Sequence, residues 1–271
     1  MINICVFPVA GYGTRFLPVT KSVPKEMLPI NTKPLIHYAI DEANKAGIDN
    51  MLFIMSDEKE AIKDYFSSSP KLNHVLEKKN NSSIDELNSL IVRCNFLYAY
   101  QDEMLGLGHA ISISEKHIND DRFCVVLPDD LCTCDGNSVL SQLKEVSKSY
   151  PAHCIVAVEE IEIKNSSKYG IIKISNRESQ ENVYKVDSLV EKPDPISAPS
   201  NLAVIGRYIL TQEIFNHLHK IKKDLHGEIQ ITDALNLLAK KGKVLALRFS
   251  GKRFDCGSNE GFLEANNYFS K

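Results

Sequence analysis

The sequence has no tryptophan and no apolar run near the ~18 residues that a membrane-spanning helix requires, so neither a membrane span nor a membrane partner is expected. Surplus charge is also missing: 32 Lys and Arg face 35 Asp and Glu, for a formal charge of −3. That balance argues against a dedicated nucleic-acid binder, which carries a net basic face. Seven cysteines (Cys5, Cys94, Cys124, Cys132, Cys134, Cys154, Cys256) include no Cys-X-X-Cys pair, so they read as small buried apolar side chains in a reducing compartment. The eight histidines are equally scattered, and His217 and His219, two apart on an expected helix, point in different directions. The first eight residues, Met1 to Pro8, lack the basic start and long apolar stretch of a signal peptide, so a cytoplasmic protein is expected. What is present, 43% hydrophobic and 25% charged residues in a chain of 271, is an ordinary globular composition with ample material for a core.

Hydrophobic patterning predicts strands over 2–9, 51–55, 96–100, 123–127 and 153–158, alternating with helices over 35–46, 58–66, 108–118 and 139–149. Such alternation implies an α/β, Rossmann-like and mostly parallel central sheet flanked by helices. The texture then changes. Strands over 169–175, 183–190 and 202–210 have little helix between them, which predicts an antiparallel or mixed extension. Helices over 211–220 and 229–240, a strand over 244–249 and a helix over 260–269 complete the chain. Polar stretches bracket a helical excursion over 72–78 and 84–93, read as a solvated surface or an interface element. Pro193, Pro195 and Pro199 mark an irregular loop. With no internal repeat or linker, one domain of two lobes is expected, 1–150 and 151–271.

The first strand runs into Ala10-Gly11-Tyr12-Gly13-Thr14-Arg15-Phe16-Leu17-Pro18, a glycine-bearing turn at the end of a sheet strand, where open α/β folds bind ligands. Glycine lets backbone N–H groups approach a phosphate, and Arg15 adds a permanent, bidentate charge. Phe16 breaks the dinucleotide fingerprint, which argues against a nicotinamide-dependent dehydrogenase, and no Walker lysine is present. Lys25 follows, held between Pro24 and Pro29 with little backbone freedom. Asp129 directly follows an apolar strand, where carboxylates meet the cleft of an α/β sheet.

Together, Gly11 to Pro18, Pro24 to Pro29 and Lys33 to Ile36 resemble the signature of sugar-1-phosphate nucleotidyltransferases. Eight further segments narrow the resemblance to the bacterial UTP-glucose-1-phosphate uridylyltransferases: Leu105 to Ala110, Leu127 to Asp130, Lys168 to Gly170, Val190 to Pro193, Ala198 to Ala203, Gly206 to Tyr208, Glu228 to Ala234 and Phe254 to Ser258. The resemblance implies a nucleotide-diphospho-sugar transferase fold with a smaller β-rich sugar-binding lobe. It implies Mg²⁺-dependent uridylyl transfer from UTP to glucose 1-phosphate, giving UDP-glucose and pyrophosphate, in a homodimer or homotetramer. Carried over by position, it puts Ala10, Gly11, Gly13, Thr14, Arg15, Lys25 and Glu26 on the nucleotide, and Gln101 and Gly106 on its uracil. It puts Asp130, Gly170, Glu191, Lys192 and Asn201 on the sugar phosphate and Asp129 and Asp255 on the metal, with Arg15, Lys25, Asp129 and Lys192 as the catalytic set. A glutamine amide is expected to match both the donor and the acceptor of the uracil imide edge. Two departures are visible: Leu105 replaces the usual lysine before Gly-Leu-Gly-His, which removes a phosphate contact from that loop, and Val9 replaces an alanine. Use of dTTP or another sugar phosphate, and nucleotide-sugar binding without turnover, remain open alternatives.

Overall fold

In the computed structural model, which describes residues 2–177 and 180–270, alternation along β1 (Ile4–Pro8) sets the architecture. Cys5 and Phe7 face one core with Phe53, Ile40 and Leu143, while Ile4 and Val6 face a second with Leu52, Ile111 and Leu235. Both faces of the sheet are therefore buried, which is why its strands read as continuous apolar runs rather than alternating ones.

After β1 come the two-residue strands β2 (Pro29–Ile30) and β3 (Lys33–Pro34), helix α1 (Leu35–Lys45), β4 (Asn50–Met55), α2 (Glu60–Tyr65), α3 (Pro70–Lys78), α4 (Asp85–Arg93) and β5 (Asn95–Tyr100). Next are α5 (Gly106–Ile113), β6 (Arg122–Val126), β7 (Asp130–Thr133), α6 (Val139–Ser149), β8 (Cys154–Glu160), β9 (Gly170–Arg177), β10 (Val183–Glu191) and β11 (Leu202–Thr211). The chain closes with α7 (Glu213–Leu218), α8 (Ile231–Ala239), β12 (Val244–Arg248), β13 (Lys252–Asp255) and α9 (Asn259–Phe269).

The main sheet has nine strands in the order β5-β4-β1-β6-β11-β8-β12-β10-β9. β5, β4, β1 and β6 pair in parallel, as do β8 and β12, whereas β11 and β10 run against their neighbours. The mixed character begins at β11, where the second half of the chain enters the sheet. A separate two-stranded antiparallel sheet pairs β7 with β13, placing Asp130 opposite Asp255.

Local chemistry explains most boundaries. Pro34 caps α1, whose end is closed by Gly47 at φ 71, a left-handed conformation that glycine adopts without cost. Ser138 caps α6 by accepting the Ser141 N–H at 3.2 Å, and Ser258 caps α9 by accepting that of Gly261 at 3.1 Å. The helix expected over 211–220 is shorter because β11 continues through Thr211. Those expected over 58–66 and 108–118 each divide into an α-helix and a tighter 3₁₀ turn. Five of the seven cysteines are buried and the other two partly so, and all are free thiols. No helix among the described residues is long and apolar enough to cross a membrane.

Candidate active site

Beyond the carboxyl ends of β1 and β6 lies a cavity of about 280 Å³ lined by Ala10, Gly11, Lys25, Glu26, Gln101, Gly106 and Asp129. A second, of about 160 Å³, adjoins it and is lined by Asp130, Gly170, Glu191, Tyr169 and Thr232. Leu107 and Leu127 line both and form the partition. The consecutive residues Asp129 and Asp130 thus face different cavities.

Lys25 begins a 3₁₀ turn behind Pro24, and its ammonium lies 2.5 Å from Asp129 Oδ2. Gly13, at φ 66, supports it: a Cβ there would sit 3.0 Å from Lys25 Cβ, so the turn closes on the lysine stem only without a side chain. Burial opposes the Lys25 charge, but Asp129 and Glu26 outweigh it and raise the pKa, so the ammonium is retained. Burial likewise works against ionised Asp129, yet Lys25, through its charge and hydrogen bond, and then Arg15 hold the carboxyl below its usual range. Glu26 is buried beside Lys59, with Nζ 3.1 Å from Oε2, and its Oε1 has no hydrogen-bond partner. Burial raises its pKa against the pull of Lys25 and Lys59. Gln101 donates through Nε2 to the Gly106 carbonyl, 3.4 Å away, and meets His109 Nδ1 at 2.9 Å. The amide nitrogen is therefore engaged within the protein, whereas Oε1 accepts no hydrogen bond from the described residues.

Asp255 receives the Tyr169 hydroxyl at 2.8 Å on Oδ2. A Cβ at Gly257 would lie 3.2 Å from Asp255 Oδ1, 3.3 Å from Asp129 Oδ2 and 3.5 Å from an Arg15 guanidinium nitrogen. Two carboxylates distant in sequence therefore converge over a bare glycine, in a space that one side-chain atom would fill. This donor set fits Mg²⁺, a hard ion that takes one or two carboxylates together with phosphate and water oxygens. Among the described residues no cluster of three or more acidic, histidine or cysteine side chains offers a fuller protein cage. Arg15 is exposed and donates to the Gly257 carbonyl at 3.2 Å, so its guanidinium also reaches this glycine. Thr14 is exposed on this loop and lies outside both cavities.

In the second cavity Glu191 accepts from the Thr232 hydroxyl at 2.6 Å and lies beside Gly170, whose missing Cβ would be 3.3 Å from Oε2. Both Asp130 oxygens are occupied: Oδ1 accepts from Arg253 at 2.5 Å and Oδ2 from the Gly206 N–H at 2.7 Å. Asp130 thus fixes the wall as well as facing the cavity, and burial raises its pKa despite Arg253. Lys192 and Asn201 are exposed and line neither cavity. Lys192 Nζ is 3.6 Å from Glu191 Oε1, and the residue holds φ 45, a strained setting for a side chain other than glycine. Asn201 accepts the Ile161 N–H on its carbonyl at 2.9 Å.

Two supporting groups escaped the sequence reading. Arg253 is buried, bridges Asp130 and Glu159 at 2.5 Å each, and stacks 4.9 Å from the Tyr169 ring centre. Its signal was the period of two on β13, which puts Arg253 and Asp255 on one face and Phe254 on the other. Arg207 is also buried and donates to Glu42, 165 residues away, at 2.9 and 3.0 Å, and to the carbonyls of Leu127, Gly206 and Asp130. Glu42 reads as an ordinary surface position on an amphipathic helix, and nothing in its neighbours marks it.

The model of the nucleotidyl transferase family matches residues 7–271. The chain is 46% identical over 270 residues, 99% of its own length and 96% of the relative's, to a UTP–glucose-1-phosphate uridylyltransferase of Pseudomonas aeruginosa. It is 39% identical to one from Staphylococcus epidermidis, covering 97% and 90% of the two chains. Among solved structures, a UDP-glucose pyrophosphorylase complexed with UDP-glucose superposes with a TM-score of 0.92 at 46% identity, covering 100% of this chain and 99% of the other. A UTP-bound UDP-glucose pyrophosphorylase from Acinetobacter baumannii gives 0.89 at 35% identity, covering 99% and 93%. On sequence and fold alike, the chain belongs to the nucleotidyl transferase family.

Proposed function

We propose that the protein transfers a uridylyl group from UTP to glucose 1-phosphate, releasing pyrophosphate and forming UDP-glucose. The observation that carries this reading is the pair of adjoining cavities entered by Asp129 and Asp130, one with the lysine-bearing loop and one with a hydroxyl-accepting glutamate. In this reading the first cavity takes UTP, with Gly11, Gly13, Thr14 and Arg15 around the phosphates and Gln101 and Gly106 at the base. Glu191 accepts from glucose hydroxyls, Gly170 allows close backbone approach, and Asn201 and Lys192 close the rim, with the lysine on the sugar phosphate. Residues 1–150 then serve mainly the nucleotide and 151–271 mainly the sugar phosphate.

A nonbridging oxygen of glucose 1-phosphate attacks the α-phosphorus in line, the P–O bond to pyrophosphate breaks, and no enzyme nucleophile is required because the attacking oxygen is already anionic. The chain's task is to bring two polyanions together and neutralise shifting charge, which falls to Arg15, Lys25 and Lys192. Asp129 and Asp255 would hold Mg²⁺, which when bound neutralises phosphate charge as a Lewis acid. A cytoplasmic homodimer or homotetramer completes the reading. The half-exposed Leu72 and Val75 on α3 support that helix as the surface between chains.

The test is pyrophosphate release from UTP, dTTP and CTP with glucose 1-phosphate and Mg²⁺, with and without chelator. UTP-dependent turnover abolished by chelation is expected. Retained UDP-glucose binding without turnover would make the protein a binding module instead.

A further inference from the structure

We propose that His109 orients the Gln101 side-chain amide so that the base pocket accepts a pyrimidine carrying a hydrogen on N3, as uracil does, and refuses cytosine. This rests on the uridylyl reading and names what enforces it. Gln101 is buried at the end of β5, with its backbone N–H on the Met55 carbonyl at 2.8 Å, and its side chain lines the nucleotide cavity. A backbone carbonyl can only accept, so the group facing Gly106 is the amide nitrogen. The same nitrogen lies 2.9 Å from His109 Nδ1, which must therefore accept, leaving the imidazole neutral with its proton on Nε2. Both amide hydrogens are thereby directed into the protein. Oε1 accepts no hydrogen bond from the described residues and remains for the ligand.

His109 is itself held in place. It sits in α5, whose start is tied down by the Gly108 N–H on the Ile229 carbonyl at 2.8 Å, and its own carbonyl accepts the Ser112 hydroxyl at 2.7 Å. It does not line the cavity, so it is a positioning residue. The consequence is chemical. N3 of uracil or thymine carries a hydrogen that Oε1 accepts; N3 of cytosine carries a lone pair that Oε1 repels. Without His109 the amide keeps only the long 3.4 Å contact to the Gly106 carbonyl, so it can turn over about its last torsion, which is broad and two-fold, and then offers N–H to cytosine.

The experiment measures pyrophosphate release with UTP and CTP for wild-type, His109→Leu and His109→Asn proteins. Loss of the acceptor in His109→Leu is expected to raise KM for UTP about tenfold with kcat little changed, and to raise the CTP-to-UTP ratio of kcat/KM about tenfold. Asparagine places its side-chain oxygen near the position of Nδ1, so His109→Asn is expected to restore both values. Unchanged KM and ratio in His109→Leu, or a His109→Asn that behaves like leucine, would overturn the inference. If His109→Leu does not fold, His109→Ala is read in the same way. Wild-type protein that uses UTP and CTP equally sinks this inference alone, whereas wild-type protein inactive with UTP sinks the uridylyl reading beneath it.

Discussion

The Lys25 ammonium touches Asp129 Oδ2 at 2.5 Å across 104 residues of chain, and this contact joins the turn behind Pro24 to the end of a central strand. Lys25 neutralises a carboxylate at rest and lines the first cavity, which the proposed function gives to UTP. We expect Lys25→Ala and Asp129→Asn each to lower kcat by about 10²–10³ while remaining folded, the range seen when one preorganised charge partner is removed. Because the two act as a unit, the double variant is expected to lose little more than the worse single one. Steady-state kinetics with circular dichroism decide; wild-type turnover in either single variant removes that residue from the catalytic set.

Gly257 tests the metal assignment without touching a carboxylate. A methyl placed 3.2 Å from Asp255 Oδ1 and 3.3 Å from Asp129 Oδ2 crowds the space between them. Gly257→Ala is expected to raise the Mg²⁺ concentration for half-maximal activity by about 10–100-fold, as supporting changes around metal sites do. An unchanged Mg²⁺ titration would move the ion elsewhere.

Lys192 adopts φ 45 with its side chain half exposed, a conformation costing on the order of 1–3 kcal/mol, and its backbone N–H is held on the Tyr169 carbonyl at 3.0 Å. The proposed function places a phosphate against this lysine. Lys192→Ala is expected to reduce turnover by about 10²–10³. Its melting temperature should match that of the wild type, since among the described residues the ion pair lost is the exposed one to Glu191.

Arg207 and Glu42 make a buried pair whose disruption strands a charge. Arg207→Met is expected to destabilise the fold by about 3–5 kcal/mol, and Glu42→Gln added to it to cost little more. Chemical denaturation of Arg207→Met, Glu42→Gln and the double variant measures this; additive losses would show that the partners act independently.

Much of the fold is legible because both sheet faces are buried: β1, β4, β6 and β8 each carry an unbroken apolar run, with polar residues only at strand ends, and Pro34, Gly47 and Ser138 punctuate their helices. The pairing of β7 with β13 is not, because its strands are four residues each, lie far apart in sequence and, as Asp-Leu-Cys-Thr and Lys-Arg-Phe-Asp, show no apolar run. In the site, Lys25, Asp129 and Glu191 stand out because each ends or follows an element beside a proline or an apolar strand. Arg253, Glu159 and Glu42 do not, since a charge buried by a distant partner looks, in sequence, like one in water. The split of Gln101 into a committed nitrogen and a free oxygen was equally hidden, because it depends on His109 eight residues later on another element.

Asp129 and Asp130 face neighbouring cavities and are joined by a single peptide bond. Their Cα atoms are therefore held about 3.8 Å apart by covalent geometry, whatever the surrounding lobes do. In the proposed function this fixed spacing sets the offset between nucleotide and sugar phosphate at this point, so a change in the grip on either substrate leaves that offset unchanged.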